Sequence, residues 1–182
     1  MSLKSMVKRH VAVPVALGAA PLDIPVIIQE QTQWCWATCM QMVLRLFDPG
    51  DVTKQCGFAN AAFGMSGCCT APSSSLCNQP LPIISISPEY QKYNYRSTYH
   101  GAAVEFASLQ GELDNGCVVE IGLRWTQGGG HAVLIVGYVV DDTGRHLVIN
   151  DPWLGRIVVL FEELLTAYGK GQWGWTWTGI RK

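Results

Sequence analysis

The sequence predicts an α+β fold in which an N-terminal helix packs on an antiparallel β-sheet, and three observations carry that expectation. Apolar residues recur at helical spacing just after Cys35. Runs rich in β-branched and aromatic residues fill much of 117–177. Between two of these runs stands Asp141-Asp142-Thr143-Gly144, which has the chemistry of a hairpin turn and so sets its flanking strands antiparallel.

Taken in order, the chain opens with Lys4, Lys8 and Arg9 ahead of Val-Ala-Val-Pro-Val-Ala-Leu-Gly-Ala-Ala, a weak imitation of a signal peptide's charged and apolar regions. Residues 1–22 are read as a flexible leader, and residues 23–182 as a single domain. Trp36, Cys39, Met40, Val43, Leu44 and Phe47 fall at i, i+3, i+4, i+7, i+8 and i+11, the stripe of a helix burying one face. Asp48-Pro49-Gly50 stops that helix. Thr32 or Gln33 lies at or near its first turn, so Cys35 sits close to the positive end of the helix dipole.

Residues 51–100 mix Gly, Ser, Pro, Asn and four cysteines without a sustained period and read as a long irregular segment, of the kind that is functional or cross-linked. Val104–Leu113 reads as a second helix, ended by Asp114-Asn115-Gly116, and Cys117–Trp125 alternates like a strand. After the bend Gly128-Gly129-Gly130 come the strands His131–Val140 and Arg145–Asn150, then a strand over Arg156–Leu160 and a short helix over Glu162–Tyr168. A last strand is expected to carry Trp173, Trp175 and Trp177 on one face, as sheet core.

Composition narrows the function. The chain has 182 residues, within the range of one domain. Hydrophobic residues make up 48 % and charged residues 15 %, against about 25 % charged in ordinary soluble proteins, which excludes a disordered tail protein. A net charge of −1 lacks the basic surplus that drives nucleic-acid binding through counterion release. No run approaches the ~18 apolar residues that span a bilayer, so no membrane insertion is expected.

Seven cysteines are many for a cytosolic chain of this length, and the odd number leaves at least one thiol free. Cys56, Cys68, Cys69 and Cys77 are read as two disulfides, with three pairings open, and an oxidising compartment would follow. Zinc is disfavoured because its ligands usually come as C-x2-C pairs. Cys39, one turn after Cys35, reads as a small buried hydrophobe. His10, His100 and His146 have no helical or metal-ligand spacing and receive no role.

The residues that carry chemistry are Cys35 at a helix start, His131 opening a strand, and Asp151 just after the paired strand. A helix N-terminus and an imidazolium together stabilise a thiolate, and the histidine can return its proton to a leaving group. If the hairpin pairs the His131 strand with Leu147–Asn150, the chain returns Asp151 to the histidine, where it could orient the ring and fix its tautomer.

At these residues the chain resembles the papain-like cysteine peptidases. The matching features are Gln29, Cys35-Trp36-Ala37, Gly130-His131-Ala132-Val133 with Val136-Gly137-Tyr138, and Asn150-Asp151-Pro152-Trp153. They most resemble two compact bacterial branches, avirulence-effector proteases and leader-processing peptidases of bacteriocin exporters, the effector-like branch being favoured. The resemblance implies Cys35 as nucleophile, His131 as general base or ion-pair partner, Asp151 as third member, and Gln29 as side-chain donor of the oxyanion hole. It implies Trp153 as the shield of the third member. Asn150 is the alternative third member, since papain itself uses Asn there; Asp151 is backed because its spacing to Trp153 fits the Asn-x-Trp pattern. Two departures stand out: Thr32-Gln33-Trp34 replace the residues of the papain signature before the nucleophile, and His131 follows Cys35 more closely than the ~130–150 residues usual there.

The implied function is a cysteine endopeptidase working through a thioester acyl-enzyme on a protein or peptide substrate, with no cofactor or metal. The expected protein is a monomer, secreted or translocated as an effector, with cytoplasmic placement the alternative and a host activating factor left open. Two other functions compete: acyl transfer or amide hydrolysis on a non-protein substrate by the same triad, and an inactive papain-like binding module.

Overall fold

The protein is described here by a computed structural model covering residues 21–182. The expected leader lies outside the described residues as far as position 20. Pro21 and Leu22 already lie on the sheet: the Leu22 N–H donates to the Val136 carbonyl at 2.8 Å, and a Cβ on Gly137 would come within 3.0 Å of Pro21 Cα.

Helix α1 spans Cys35–Phe47, and every residue from Trp36 to Leu44 is buried. The apolar stripe faces the sheet, and the remaining sides are covered by the segment that follows. That segment corrects the expectation of an irregular 51–100. It contains α2 (Gln55–Phe63), a 3-10 turn at Ile83–Ser85, α3 (Ile86–Lys92) and strand β1 (Arg96–His100). Helices this short show little periodicity of their own, and here two disulfides, Cys56–Cys69 and Cys68–Cys77, tie α2 and its loop together.

Helix α4 (Phe106–Asp114) precedes β2 (Val118–Trp125), β3 (Gly130–Asp141) and β4 (Gly144–Asp151). β5 (Gly155–Leu160), α5 (Phe161–Leu165) and β6 (Gly171–Arg181) complete the chain. The six strands form one antiparallel sheet in the order β1-β6-β2-β3-β4-β5. The expected hairpin turn closes on Asp141 opposite Gly144, with Asp141 Oδ1 accepting the Thr143 N–H at 2.8 Å.

Both sheet faces are covered. Leu134 and Val136 of β3 pack with Met40, Val43 and Leu44 of α1, while Val133 and Ile135 pack with Leu109 of α4 and Phe161 and Leu164 at α5. Successive side chains point to opposite faces, so a strand covered on both sides is apolar nearly throughout. β2 is accordingly buried from Val118 to Leu123.

The tryptophan ladder needs correction. Gly122 pairs with Trp175 but Leu123 pairs with Trp173, so the register shifts by one residue around Gly174. Such a bulge sends the next side chain to the opposite face. Trp175 and Trp177 therefore lie on the α1 side and Trp173 on the α4 side, where its indole N–H donates to Thr176 Oγ1 at 2.9 Å.

Candidate active site

Cys35 is the first residue of α1 and a free, partly buried thiol. The turn leading into it is tied to the disulfide-linked loop. Asn78 accepts the Gln33 N–H and donates to Thr32 Oγ1, both at 2.9 Å. The Trp34 indole donates to the Cys77 carbonyl at 2.8 Å and that of Trp36 to the Gln79 carbonyl at 3.1 Å.

His131 stands opposite Leu123 near the start of β3 and is 3 % exposed. β4 runs back beside it and ends at Asp151, which is fully buried. His131 Nε2 lies 2.9 Å from Asp151 Oδ1. The other ring nitrogen, Nδ1, is buried and has no hydrogen-bond partner, and the Cys35 thiol is near enough to act on the charge of the ring. Burial alone would push the imidazole toward its neutral form. The hydrogen bond to Asp151, the nearby Cys35 thiol and the negative charges of both outweigh burial and raise its pKa from 6.5 to about 9.

Asn150 faces away from this cluster, as strand alternation requires. Its Oδ1 accepts the Arg156 Nε–H at 2.9 Å, and its amide donates to the Ile24 carbonyl at 3.4 Å. Trp153 stacks on His131 with ring centroids 3.9 Å apart and planes 12° apart, covering the side of the His131–Asp151 pair. Trp125 lies parallel to it at 6.4 Å.

Gln29 sits on an extended segment whose N–H donates to the Pro152 carbonyl at 3.0 Å, next to Asp151 in sequence. Its Nε2 donates to the Gln31 carbonyl at 2.6 Å, which leaves the second amide hydrogen free, and its Oε1 is buried without a partner.

Cys35 and His131 open onto a cavity of about 990 Å³, lined also by Trp36, Leu81, Ile86, Gly130, Trp153 and Trp175. Beneath it lies Glu120, fully buried, with Oε2 accepting the Tyr90 hydroxyl at 2.5 Å and Oε1 unpartnered. Burial raises its pKa to about 8, against a smaller opposing effect of the Tyr90 bond. Burial, with Glu120 nearby, likewise pushes the Cys39 thiol up, in keeping with a buried, inert residue. Glu120 and Trp125 were not singled out from sequence; an acid flanked by apolar strand residues was the available signal for the first.

Solved structures with this architecture define the class. A double glycine motif protease from an AMS/PCAT transporter, solved with its leader peptide, is 16 % identical, with 90 % of this chain and 96 % of that chain covered and a TM-score of 0.54. The peptidase domain of Streptococcus ComA, a bi-functional ABC transporter of a quorum sensing pathway, is 12 % identical, with coverage of 85 % and 97 % and a TM-score of 0.57. The digestive procathepsin L 3 of the Tenebrio molitor larval midgut is 13 % identical, with coverage of 96 % and 74 % and a TM-score of 0.53. The fold is that of the papain-like cysteine peptidases.

Within that class, residues 21–170 match the Peptidase_C39 like family, to which the chain belongs. Family and fold make it a papain-like cysteine protease. No curated protein sequence matches it.

Proposed function

We propose that the protein is a cysteine endopeptidase in which Cys35, His131 and Asp151 act as a triad. One observation carries the reading: His131 is held through Nε2 by Asp151 while its Nδ1 is unpartnered, and it shares with Cys35 the lining of a cavity that can seat a peptide. His131, protonated at neutral pH, pairs with a Cys35 thiolate at the helix N-terminus. The thiolate attacks the scissile carbonyl carbon, and the carbonyl oxygen takes up the negative charge. The Cys35 N–H and the free Gln29 amide hydrogen stabilise that oxyanion. As the intermediate collapses, the C–N bond breaks and the His131 proton goes to the departing amine. Water then attacks the thioester with His131 as base, releasing the acid and restoring the thiolate.

The transporter-linked neighbours, one of them solved with a leader peptide, support a peptide substrate. The two disulfides support a working place outside the reducing cytosol, as a secreted or translocated protein.

The test is cleavage of peptide libraries by wild type and Cys35→Ala, with cell-wall fragments and amine acceptors assayed alongside. Peptide hydrolysis lost in Cys35→Ala with an unchanged melting temperature is expected. Turnover confined to cell-wall fragments or amine acceptors would replace proteolysis by amidase or transferase chemistry.

A further inference from the structure

The segment around Gln29 is bonded along both of its edges. On one edge the Gln29 N–H meets the Pro152 carbonyl. On the other stands the side chain of Gln55, the first residue of α2 and fully buried. Gln55 Oε1 accepts the Glu30 N–H at 2.8 Å, and Gln55 Nε2 donates to the Ile28 carbonyl at 2.9 Å. One carboxamide thus holds the peptide groups on both sides of Gln29, much as a neighbouring strand would. Gln55 Nε2 also reaches Gln41 Oε1 at 3.3 Å, on the helix that begins with Cys35. Gln41 in turn donates to the Thr53 carbonyl at 3.0 Å.

We propose that Gln55 is a positioning residue for the cleavage reaction, setting the place of the Gln29 amide relative to Cys35 through Ile28 and Glu30. The proposal rests on the proteolytic reading above. Gln55 touches neither substrate nor thiol; its whole effect on the chemical step passes through Gln29. A donor must sit near the place the oxyanion will occupy, and misplacing a positioned group by about 1 Å can cost on the order of a hundredfold in rate.

The experiment is a double-mutant cycle on the full chain, with kcat, KM and melting temperature measured for wild type, Gln29→Ala, Gln55→Leu and the double variant. Gln29→Ala should lower kcat roughly 10²–10³-fold. Gln55→Leu should lower kcat roughly tenfold or more with KM little changed. In the Gln29→Ala background, Gln55→Leu should lower kcat no further, although its effect on melting temperature persists. Gln55→Glu, which keeps the acceptor for Glu30 and loses the donor to Ile28, should be intermediate, and it runs the same cycle if Gln55→Leu does not fold. Losses in kcat that multiply in the double variant, or a Gln55 effect confined to melting temperature, would overturn the proposal while leaving the endopeptidase reading intact. Wild-type protein without Cys35-dependent cleavage would bring down that reading, and the proposal with it.

Discussion

Three donors converge on a single oxygen of Asp151: the His131 ring and the backbone N–H groups of Trp153 and Leu154, at 2.9, 2.6 and 3.2 Å. The carboxyl is thereby fixed before the histidine meets it, and the imidazole takes its orientation from a rigid partner. Since contacts with Asp151 and Cys35 hold His131 at about 9, the imidazolium is lost only as the pH passes that value. The proton that His131 gives the leaving amine is then gone, so kcat/KM should fall along an alkaline limb near pH 9. Asp151→Asn should move that limb toward neutral pH, because burial then acts with less opposition, and should lower kcat/KM by about 10²–10⁴-fold, the usual worth of positioned acid–base help. Asn150→Ala should leave the limb in place and instead destabilise the fold by about 1–3 kcal/mol, because Arg156 loses a buried acceptor. The order of Cys35, His131 and Asp151 was legible in the sequence. The choice between two adjacent residues rested there on spacing, and strand alternation places them on opposite faces.

Among the elements, β2 combines a continuous apolar run with one buried acid. Glu120 has a folded pKa of about 8 against 4.5 when exposed, so it is neutral in the folded protein while the unfolded chain ionises first. Its contribution to stability is fully present below about 4.5 and is lost as the pH rises toward 8. His131, raised from 6.5 to about 9, loses its own contribution only above 6.5, so the window from about 4.5 to 6.5 isolates Glu120. Glu120→Gln should flatten the pH dependence of the melting temperature in that window and stabilise the protein at pH 8, by a few kcal/mol at most. Helix α1 and the β3–β4 hairpin were readable because periodicity and turn chemistry are local. The bulge near Gly174 was not, because a register shift is fixed by the partner strand. Nor were α2, which a disulfide anchors at Cys56, and α3, which at seven residues is too short to show a periodic face.

For the whole molecule, motif order from Gln29 to Trp153 was enough to reach the papain-like fold, while the cross-link pattern had three equal solutions on paper. Both disulfides fall within the segment that covers α1 and borders the turn leading into Cys35. Protein purified without reductant should contain three free thiols, at Cys35, Cys39 and Cys117, countable by intact mass after denaturation and alkylation. Reducing the two bridges, which span 13 and 9 residues, should lower unfolding stability by about 2–4 kcal/mol per bridge in urea titration of the Cys35→Ala protein. One contact made at the centre of this fold reaches beyond catalysis. An indole lies face to face with an imidazole at 3.9 Å, and a charged imidazole quenches indole fluorescence where a neutral one does so far less. The emission of Trp153 should brighten as His131 loses its proton and vanish from the titration in Trp153→Phe, so the chain carries its own optical gauge of the charge on its histidine, readable without substrate or label.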